Sequence, residues 1–242
     1  MEKISKALHL NLIKDNRYMY LVDGLKNTMV ITLFATILGI VLGLVIALVR
    51  TTYDNTNGLK NSNVLFRSLI KLANGICQVY ITLIRGTPVV IQLMILFFCI
   101  FTSRDASGVL IAIIGFGLNS SAYVAEIFRS GLMSIDQGQM EAGRSLGLSY
   151  LDTMRFIIVP QAFKVVLPSL CNEFIVLIKE TSVAGYVAVQ DLTKGGDIIR
   201  SRTYDAWTPL LIVAGIYLLL TCIFSAIVKR LEINLRKNER TA

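Results

Sequence analysis

Side chains that could hydrogen-bond or pair with a charge occur inside two stretches of the chain that are otherwise apolar. In the first stretch, Asn119, Tyr123 and Glu126 follow one another at i, i+4 and i+7, and so share one face of a predicted helix. The second stretch, from about residue 165 to residue 190, carries five more polar candidates: Asn172, Glu173, Lys179, Glu180 and Thr181. Because such groups are costly in lipid, both stretches should face protein or line a water-filled path.

Each stretch also has a second interpretation. The first could be a helix end that emerges into water, with Glu126 paired to Arg129 at i, i+3. In the second, only the first half could span the membrane, and the rest could be an external loop.

The chain offers no recognisable catalytic or metal-binding set. It lacks the phosphate-binding pattern G-x-x-x-x-G-K-[ST], so we expect no ATP hydrolysis by this chain. The single histidine, His9, lies near the N-terminus, is expected at the surface, and supports neither a Ser/His/Asp triad nor a metal site. Four cysteines without CxxC spacing are expected to be buried free thiols: Cys77, Cys99, Cys171 and Cys222. We therefore predict a non-catalytic chain with no cofactor, no metal and no disulfide framework.

The composition places the chain in a membrane. Its 242 residues are 54% hydrophobic and 17% charged, and the mean hydropathy of +0.64 is too high for an ordinary soluble globule. The net charge of +8 comes from Lys and Arg scattered between apolar runs, so membrane topology explains it better than nucleic-acid binding does. The predicted fold class is an all-α polytopic membrane protein that contacts membrane lipid and binds no nucleic acid.

Length and charge predict about five spans, since about 20 apolar residues cross the hydrocarbon core. The predicted spans are residues 26–50, 66–102 with a bend at Pro88, 109–130, 162–188 and 206–229. Residues 191–205, which include the pair Gly195-Gly196, are predicted to form a polar loop before the last span. They lie in a transmembrane domain of residues 25–230, between an N-terminal interfacial or external segment (1–24) and a basic tail (231–242). In the first span, Ala35, Gly39, Gly43 and Ala47 recur every four residues, which favours general helix packing over a dedicated dimerisation face.

Basic residues are concentrated after the first span, in a polar segment at 134–168, and in the tail. With about five spans these three places fall on one side, which the positive-inside rule makes the cytoplasm. We therefore expect the N-terminus outside and the C-terminus inside, although the basic N-terminal segment argues the other way.

The polar segment from Ser134 to Pro168 must lie outside the lipid. Ser134 has the sequence context of a helix N-cap, and the helix is expected to end at Gly147, which can adopt the left-handed conformation. Ser149 should open a second short helix, and Pro160 and Pro168 should then break the pattern. The segment is thus predicted to be two short helices that meet at a glycine.

This segment also carries an ordered pattern: Glu141-Ala142-Gly143, then Gly147, then Ile157, Val159 and Pro160. The pattern resembles the E-A-A, G, I-x-L-P loop of ABC importer permeases, with Gly143 in place of the second alanine and Val159 in place of leucine. Further matches resemble the polar amino acid branch of that family: Arg85-Gly86-Thr87-Pro88 with Gln92, Tyr123 with Ala125-Glu126-Ile127, Arg129-Ser130-Gly131, Gly138-Gln139, and Lys179-Glu180-Thr181-Ser182. That branch usually has aspartate where Glu180 stands. The resemblance covers about residues 20–230.

The resemblance implies the type I ABC importer permease fold and the permease subunit of an ATP-driven amino acid importer in a prokaryotic cell membrane. Residues 134–160 would form the cytoplasmic loop that docks in a groove of a cytosolic ATPase dimer, where small residues leave room for the partner backbone. The coupling residues so indicated are Glu141, Ala142, Gly143, Arg144, Gly147 and Pro160. The other implied partners are a second permease subunit, identical or homologous, and an extracellular or periplasmic amino-acid-binding protein.

In such an importer, the eight polar candidates become a candidate substrate path. Acidic groups would favour a cationic amino acid, whereas Lys179 and Arg85 would suit an acidic one, and the two possibilities stay open. It also stays open whether selectivity resides in the external binding protein while these residues only hold helices together.

Two other functional classes compete with the importer. An ion-gradient-driven secondary transporter is the main alternative, and the lack of a recognisable internal repeat argues against it. A membrane-embedded enzyme would need titratable clusters or metal ligands, which the sequence does not offer.

Overall fold

Helices dominate the chain, and strands are absent from the residues that the computed structural model describes, which are 2–56, 64–103 and 106–237. The helices are α1 (Glu2–Leu8), α2 (Tyr18–Thr56), α3 (Val64–Gly86), α4 (Val89–Ile95), α5 (Gly108–Met133), α6 (Gln137–Ser145), α7 (Tyr150–Thr153), α8 (Val159–Glu180), α9 (Leu192–Thr203) and α10 (Trp207–Lys237). Wider π-helical turns occupy His9–Ile13, Leu96–Ile100 and Met154–Ile158, and tighter 3-10 turns occupy Lys14–Asn16 and Thr181–Val187.

Within these described ranges, five helical stretches are long and apolar enough to cross a membrane. They are Tyr18–Asp54, Val64–Gly86, Gly108–Met133, Tyr150–Val187 and Trp207–Leu235. Their number agrees with the sequence prediction, but two boundaries differ. The first helix begins at Tyr18, so the end of the segment predicted as 1–24 already belongs to it. The predicted second span, 66–102, is two helices and not one bent helix, because α3 ends at Gly86 and α4 starts only after Pro88, where the bend was predicted.

The chain divides into two compact units. The first unit comprises Met1–Ile37, Thr87–Gly117 and Phe174–Ile227, and the second comprises Leu38–Gly86, Leu118–Glu173 and Val228–Ala242.

The first unit has an apolar core around Phe116 and Ile31, both fully buried. Two buried hydroxyls of the same unit are satisfied within α2. Thr32 and Thr36 of α2 donate their hydroxyls to the carbonyl oxygens four residues earlier, at 2.8 and 2.7 Å. Such i−4 bonds allow an apolar helix to carry buried hydroxyls.

The stretch after the fourth span, predicted to be a polar loop, is mostly helix α9, which is docked in the first unit. Asp191 caps this helix by accepting hydrogen bonds from the backbone N–H groups of its second and third residues, at 2.9 and 3.1 Å. The glycine pair of α9 explains the close packing: Gly195 lies against the carbonyl of Tyr20, and a Cβ added to Gly196 would stand 2.5 Å from Val213 Cγ2.

The N-terminal segment is tied to the turn before α10. The buried amide of Asn11 donates to Asp205 Oδ2 at 2.8 Å and to the carbonyl of Ala7 at 2.9 Å. Arg17 donates to the carbonyl of Leu10 at 2.9 Å. These hydrogen bonds, which the sequence did not predict, lie within the first unit.

The second unit is held together by α2, α3, α5 and α8. Val124 of α5 packs with Val166 and Leu170 of α8, and a Cβ added to Gly43 of α2 would stand 2.6 Å from Val124 Cγ1. All four small residues of the predicted stripe on α2 are buried within the chain. The prediction that the stripe serves helix packing is confirmed.

Two cysteines correct the sequence prediction of buried thiols. Cys99 and Cys222 are exposed, whereas Cys77 and Cys171 are half-buried. Apolar neighbours in the sequence of a membrane helix indicate contact with lipid as well as burial in protein, so the pattern could not separate the two. His9 is exposed, as expected. The described ranges hold no group of three His, Cys, Asp or Glu residues that could bind a metal ion.

Candidate coupling segment and substrate path

The first helix of the polar segment, α6, begins later than predicted. Its N-cap is Asp136, whose carboxylate accepts a hydrogen bond from the backbone N–H of Gly138 at 2.6 Å. Ser134, the predicted cap, instead donates its hydroxyl to the carbonyl of Gly131 at 2.7 Å and so completes the end of α5. The prediction of Ser134 as the cap is wrong because α5 runs on to Met133, which leaves only Asp136 in position.

The junction between α6 and α7 turns at Gly147, as predicted. Gly147 has φ +85°, and the N–H of Leu148 reaches back to the carbonyl of Gly143 at 3.2 Å while the N–H of Gly147 reaches Arg144 at 3.1 Å. These two bonds form a Schellman motif, which ends a helix at a left-handed residue. Ser149 then caps α7, accepting from the N–H of Asp152 at 3.1 Å. The predicted glycine turn and the predicted cap at Ser149 are confirmed.

Gly143 packs against residues of the same chain. It is buried, and an added Cβ would stand 2.6 Å from Thr153 Cγ2 and 3.1 Å from Ile157 Cδ1. Gly143 was expected to leave room for the backbone of a partner. Thr153 of α7 and Ile157 of the following π-helical turn occupy that room instead. Gly143 makes α6 and α7 one packed piece.

The prediction that Pro160 and Pro168 break the helical pattern is wrong. Pro160 is the second residue of α8, and Pro168 lies inside it. The π-helical turn Met154–Ile158 ends two residues before Pro160, and a widened turn is one of the helix irregularities that leave a backbone hydrogen bond unmade. The second helix is consequently not short, because helical turns run on from Tyr150 to Val187.

The outer surface of the candidate coupling segment, residues 134–160, carries both charged and apolar side chains. Glu141, Ala142, Arg144 and Gly147 are all exposed. Leu146 is 82% exposed and Leu151 is 75% exposed, although a polar segment normally keeps leucines inside. No sequence pattern pointed to these two leucines. Exposed leucines close to the turn between α6 and α7 are candidates for contact with a partner.

An ion-pair network joins α2 to α5 in the second unit. Glu126 pairs with Arg50, and its other oxygen lies 3.9 Å from Arg129 Nε. Arg129 also lies 3.5 Å from Asp54. The Arg50 side chain is only 16% exposed and that of Glu126 is 32% exposed. The predicted pairing of Glu126 with Arg129 is present, but Arg50 is the nearer partner.

Glu173 and Asn172 line a cavity of about 670 Å³ in the second unit. Its wall also includes Lys164, Ser169 and Glu232. Ser120 holds the Glu173 carboxylate by donating its hydroxyl to Oε1 at 2.8 Å. The cavity has the volume of a small-molecule site and contains both signs of charge.

The remaining path candidates do not gather at this cavity. Tyr123 is exposed and lies beneath the guanidinium of Arg85, and Asn119 is buried. In the first unit, Lys179 is exposed, Glu180 is half-buried, and the buried hydroxyl of Thr181 donates to the carbonyl of Ile178 at 2.8 Å. Of the candidates in the second unit, only Asn172 and Glu173 line its cavity.

The first unit has a second polar cavity, of about 360 Å³, next to α9. Burial raises the pKa of the Asp191 carboxyl there, while hydrogen bonds from Thr193 and Lys194 oppose the rise. Hydrogen bonds from Arg200 and then Lys194 hold the pKa of Asp197 below its usual value. No sequence pattern pointed to these carboxylates, because residues 191–205 were predicted to be a loop.

Comparison with known proteins gives one family. Residues 67–237 match the family described as "Binding-protein-dependent transport system inner membrane component". The glutamine transport system permease protein GlnP of Escherichia coli (strain K12) is 38% identical over 164 residues, which cover 66% of this chain and 75% of that protein. The arginine transport system permease protein ArtQ of Bacillus subtilis (strain 168) is 36% identical over 166 residues, covering 68% and 76%. The probable amino-acid ABC transporter permease protein YckA of the same organism is 44% identical over 141 residues, covering 58% of this chain and 62% of that protein.

Solved structures agree on the fold. A crystal structure of an amino acid ABC transporter with histidines superposes with a TM-score of 0.79 at 35% identity, covering 92% of this chain and 97% of that one. The MetNI methionine ABC transporter in an inward-facing form gives a TM-score of 0.72 at 20% identity and supports the fold alone. The predicted all-α, type I ABC importer permease fold is confirmed. The chain is a multi-pass membrane subunit and belongs to the family of binding-protein-dependent transport system inner membrane components.

Proposed function

We propose that this chain is the permease subunit of an ATP-driven amino acid importer, coupled to a cytosolic ATPase through residues 134–160. The observation that carries the proposal is the α6–α7 junction, where Glu141, Leu146 and Leu151 are exposed on a packed pair of helices. The relatives named for glutamine and arginine transport support an amino acid as the substrate.

The coupling segment is built to transmit force. The Schellman turn at Gly147 and the close contact of Gly143 with Thr153 leave α6 and α7 little freedom to move apart. Helical turns then lead from α7 through the π-helical turn into α8. A push on the junction would therefore displace α8 as well.

The arrangement requires partners on both sides of the membrane. In the proposed complex, two ATPase subunits dock on the coupling segments of two permease subunits, which are either two copies of this chain or one copy and a homologue. An amino-acid-binding protein delivers the substrate from outside. The N-terminus lies outside and the C-terminus inside, since the positive-inside rule places the basic coupling segment and tail in the cytoplasm of a prokaryotic cell.

The proposed substrate path includes the cavity at Asn172 and Glu173. Its volume of about 670 Å³ exceeds that of an amino acid, so the site could hold a hydrated zwitterion. The Glu173 carboxylate, fixed by Ser120, is placed to accept a hydrogen bond from a cationic group.

Co-purification with the cognate ATPase tests the docking surface. Glu141→Lys and Leu146→Asp should lower recovery of the ATPase and substrate-stimulated ATP hydrolysis, because both change exposed groups at the junction. Gln139→Lys is the matched control: it adds a positive charge to the same helix about 200° around from Glu141, and should leave recovery unchanged. Full recovery and full stimulation in both junction variants would refute the docking proposal.

Uptake in proteoliposomes tests the source of energy and the path. Uptake of labelled amino acid should require ATP and should not respond to an imposed ion gradient. The opposite result would favour a secondary transporter. Glu173→Gln keeps the shape of the side chain and an acceptor for Ser120 but removes the charge, so it should change uptake or substrate preference. If both stayed as in the wild type, Glu173 would not belong to the path.

A further inference from the structure

The N-terminal segment turns polar side chains into the protein and apolar ones outward. Asn11 and Arg17 are buried, and both donate hydrogen bonds inside the first unit. Leu8, Leu10 and Ile13 are exposed, Ile13 by 61%. Against water this arrangement is the wrong way round, because polar side chains are normally outside and a cluster of exposed apolar ones marks an interaction surface. Against lipid it is the stable arrangement.

This segment lies at the start of two membrane-spanning stretches. The spans begin at Tyr18 and at Trp207, and the hydrogen bond from Asn11 to Asp205 joins the segment to the turn before α10. Asp205 also caps α10 by accepting from the backbone N–H of Trp207 at 3.0 Å. The segment and the turn therefore lie together where the chain enters the membrane, which is the level of the lipid headgroups.

Aromatic side chains are exposed around this turn. Trp207 is 79% exposed and Tyr204 is 95% exposed, and Tyr18 is exposed at the start of α2. Tyr204 also has φ +55°, a left-handed conformation that a bulky residue adopts only at a cost in free energy. Trp and Tyr are enriched at membrane–water interfaces, where the ring contacts the acyl chains and the polar tip contacts the headgroups. The turn thus presents the side chains that suit an interface.

Cations lie on the same surface. Arg202 is exposed at the end of α9, and its guanidinium carbon lies 4.9 Å from the centroid of the Tyr20 ring. Lys6 and Lys14 are exposed on the N-terminal segment. The carboxylate of Asp205 is engaged within the protein, since it caps α10. The charge that this surface offers to a ligand is therefore positive.

We infer that the headgroup surface, formed by residues 6–20 and 200–207, binds anionic phospholipids. Lysine and arginine attract the phosphate groups of such lipids, while Ile13 and Trp207 contact the adjoining part of the acyl chains. The cations select anionic over zwitterionic headgroups. The inference goes beyond the import of a solute, because it requires only that the chain lies in a membrane.

The fluorescence of Trp207, the only tryptophan in the sequence, tests the inference. The full chain is reconstituted in phosphatidylcholine bilayers in which a minor fraction of the lipid has brominated acyl chains. This fraction is either phosphatidylglycerol or phosphatidylcholine, and bromine quenches a tryptophan that contacts the labelled lipid. Both lipids should quench Trp207. Brominated phosphatidylglycerol should quench it more strongly, because the cations enrich the anionic lipid beside it.

Variants identify the groups responsible. Arg202→Gln should lower the enrichment of phosphatidylglycerol about fivefold, as the contribution of one basic residue near an anionic surface implies. Arg202→Lys keeps the charge and should keep most of the enrichment. Arg230→Gln is the matched control: it removes an exposed arginine near the other end of α10, about 34 Å along the helix from Trp207, and should leave the quenching unchanged.

A relocated tryptophan tests the N-terminal segment. The double variant Trp207→Phe, Ile13→Trp moves the single tryptophan to position 13. Brominated lipids should quench it there as they quench Trp207 in the wild type. Quenching from the water by acrylamide, with none by brominated lipid, would show that the segment does not lie on the membrane and would refute its part in the headgroup surface.

Three results at Trp207 would overturn the inference. If acrylamide quenches it and brominated lipids do not, the surface faces water and is open to an external protein. If neither quencher reaches it, another protein surface, such as a second copy of this chain, covers it. If both brominated lipids quench it equally in the wild type, or if Arg202→Gln keeps the full preference for phosphatidylglycerol, the cations recognise no headgroup.

Discussion

Replacement of Gly143 by alanine should loosen the coupling segment even though alanine is the better helix former. In the structure an added Cβ would stand 2.6 Å from Thr153 Cγ2, 3.0 Å from Thr153 Oγ1 and 3.1 Å from Ile157 Cδ1. The nearest atom belongs to a β-branched side chain whose hydroxyl is held by the carbonyl of Ser149 at 2.9 Å. Thr153 therefore cannot rotate away freely, and α6 must move instead.

The expected cost follows from overpacking. Inserting one methyl group into a close contact typically costs about 1–3 kcal/mol, and the gain in helix propensity from Gly to Ala offsets at most about 1 kcal/mol of it. Thr153→Ser removes the methyl at 2.6 Å and keeps the hydroxyl, so Gly143→Ala should be much less harmful in that background. The two substitutions should be non-additive because they share one contact.

Hydrogen–deuterium exchange of the backbone amides at the α6–α7 junction tests this prediction. The N–H groups of Leu146, Gly147 and Leu148 close the junction by bonding to carbonyls of α6, and their exchange should be about 5- to 150-fold faster in Gly143→Ala, as 1–3 kcal/mol of local opening implies. Gly75→Ala is the control, since an added Cβ meets no atom within 4 Å there. Exchange at the wild-type rate in Gly143→Ala, or equal acceleration with and without Thr153→Ser, would refute the packing argument.

The other predictions concern the ion pairs and the glycine turn. Arg50→Ala should lower the thermal stability of the complex more than Arg129→Ala, by about 1–3 kcal/mol, because Arg50 is the nearer and more buried partner of Glu126; equal melting temperatures would contradict this. Asp197 has a folded-state pKa below its unfolded value, so its carboxylate stabilises the fold at neutral pH and this contribution disappears as the pH falls through the folded pKa. Asp197→Asn should thus cost less than about 1 kcal/mol at pH 7 and nothing at the acid end, which thermal unfolding against pH measures. Gly147 has φ +85°, so Gly147→Ala should lower the stability of the turn by about 1 kcal/mol, and Gly147→Asn should lower it by less. Hydrogen exchange of the amides at the α6–α7 junction measures both, and faster exchange in Gly147→Asn than in Gly147→Ala would contradict the argument.

Much of the architecture could be predicted because the determining signals are local. Apolar length predicted five spans, and the conformational demand at Gly147 and the cap at Ser149 could be read from residue type alone. The small stripe on α2 identified a packing face because spacing alone puts it on one side of the helix. In each case the signal lies within a single helix or a single turn.

Several errors have the opposite cause, since they depend on contacts between residues that are farther apart in the sequence. Helix α9 was taken for a loop because its polar composition hides Gly195 and Gly196, whose purpose appears only when Tyr20 and Val213 lie against them. Gly143 was assigned to a partner because nothing in the sequence places Thr153 beside it. Asn119 and Tyr123 do not line the cavity at Glu173, because helical periodicity predicts a shared face within one helix but not which helices meet.

The second unit gathers most of the features on which the proposed mechanism depends. Its helix α8 packs against α5 through Val166, which lies in contact range of both Gly131 and Val124. Displacement of α8 must therefore move α5, and with it the ion pair at Glu126. Because α8 contributes Asn172 and Glu173 to the cavity and the α6–α7 junction leads into the same helix, the proposed docking surface and the proposed substrate path both belong to the second unit. In the proposed importer, the ATPase would act on the substrate path by moving the helices of the second unit and not by pulling on a flexible loop. Gly143→Ala, which loosens α6 from α7, should therefore uncouple ATP hydrolysis from uptake before it lowers binding of the ATPase.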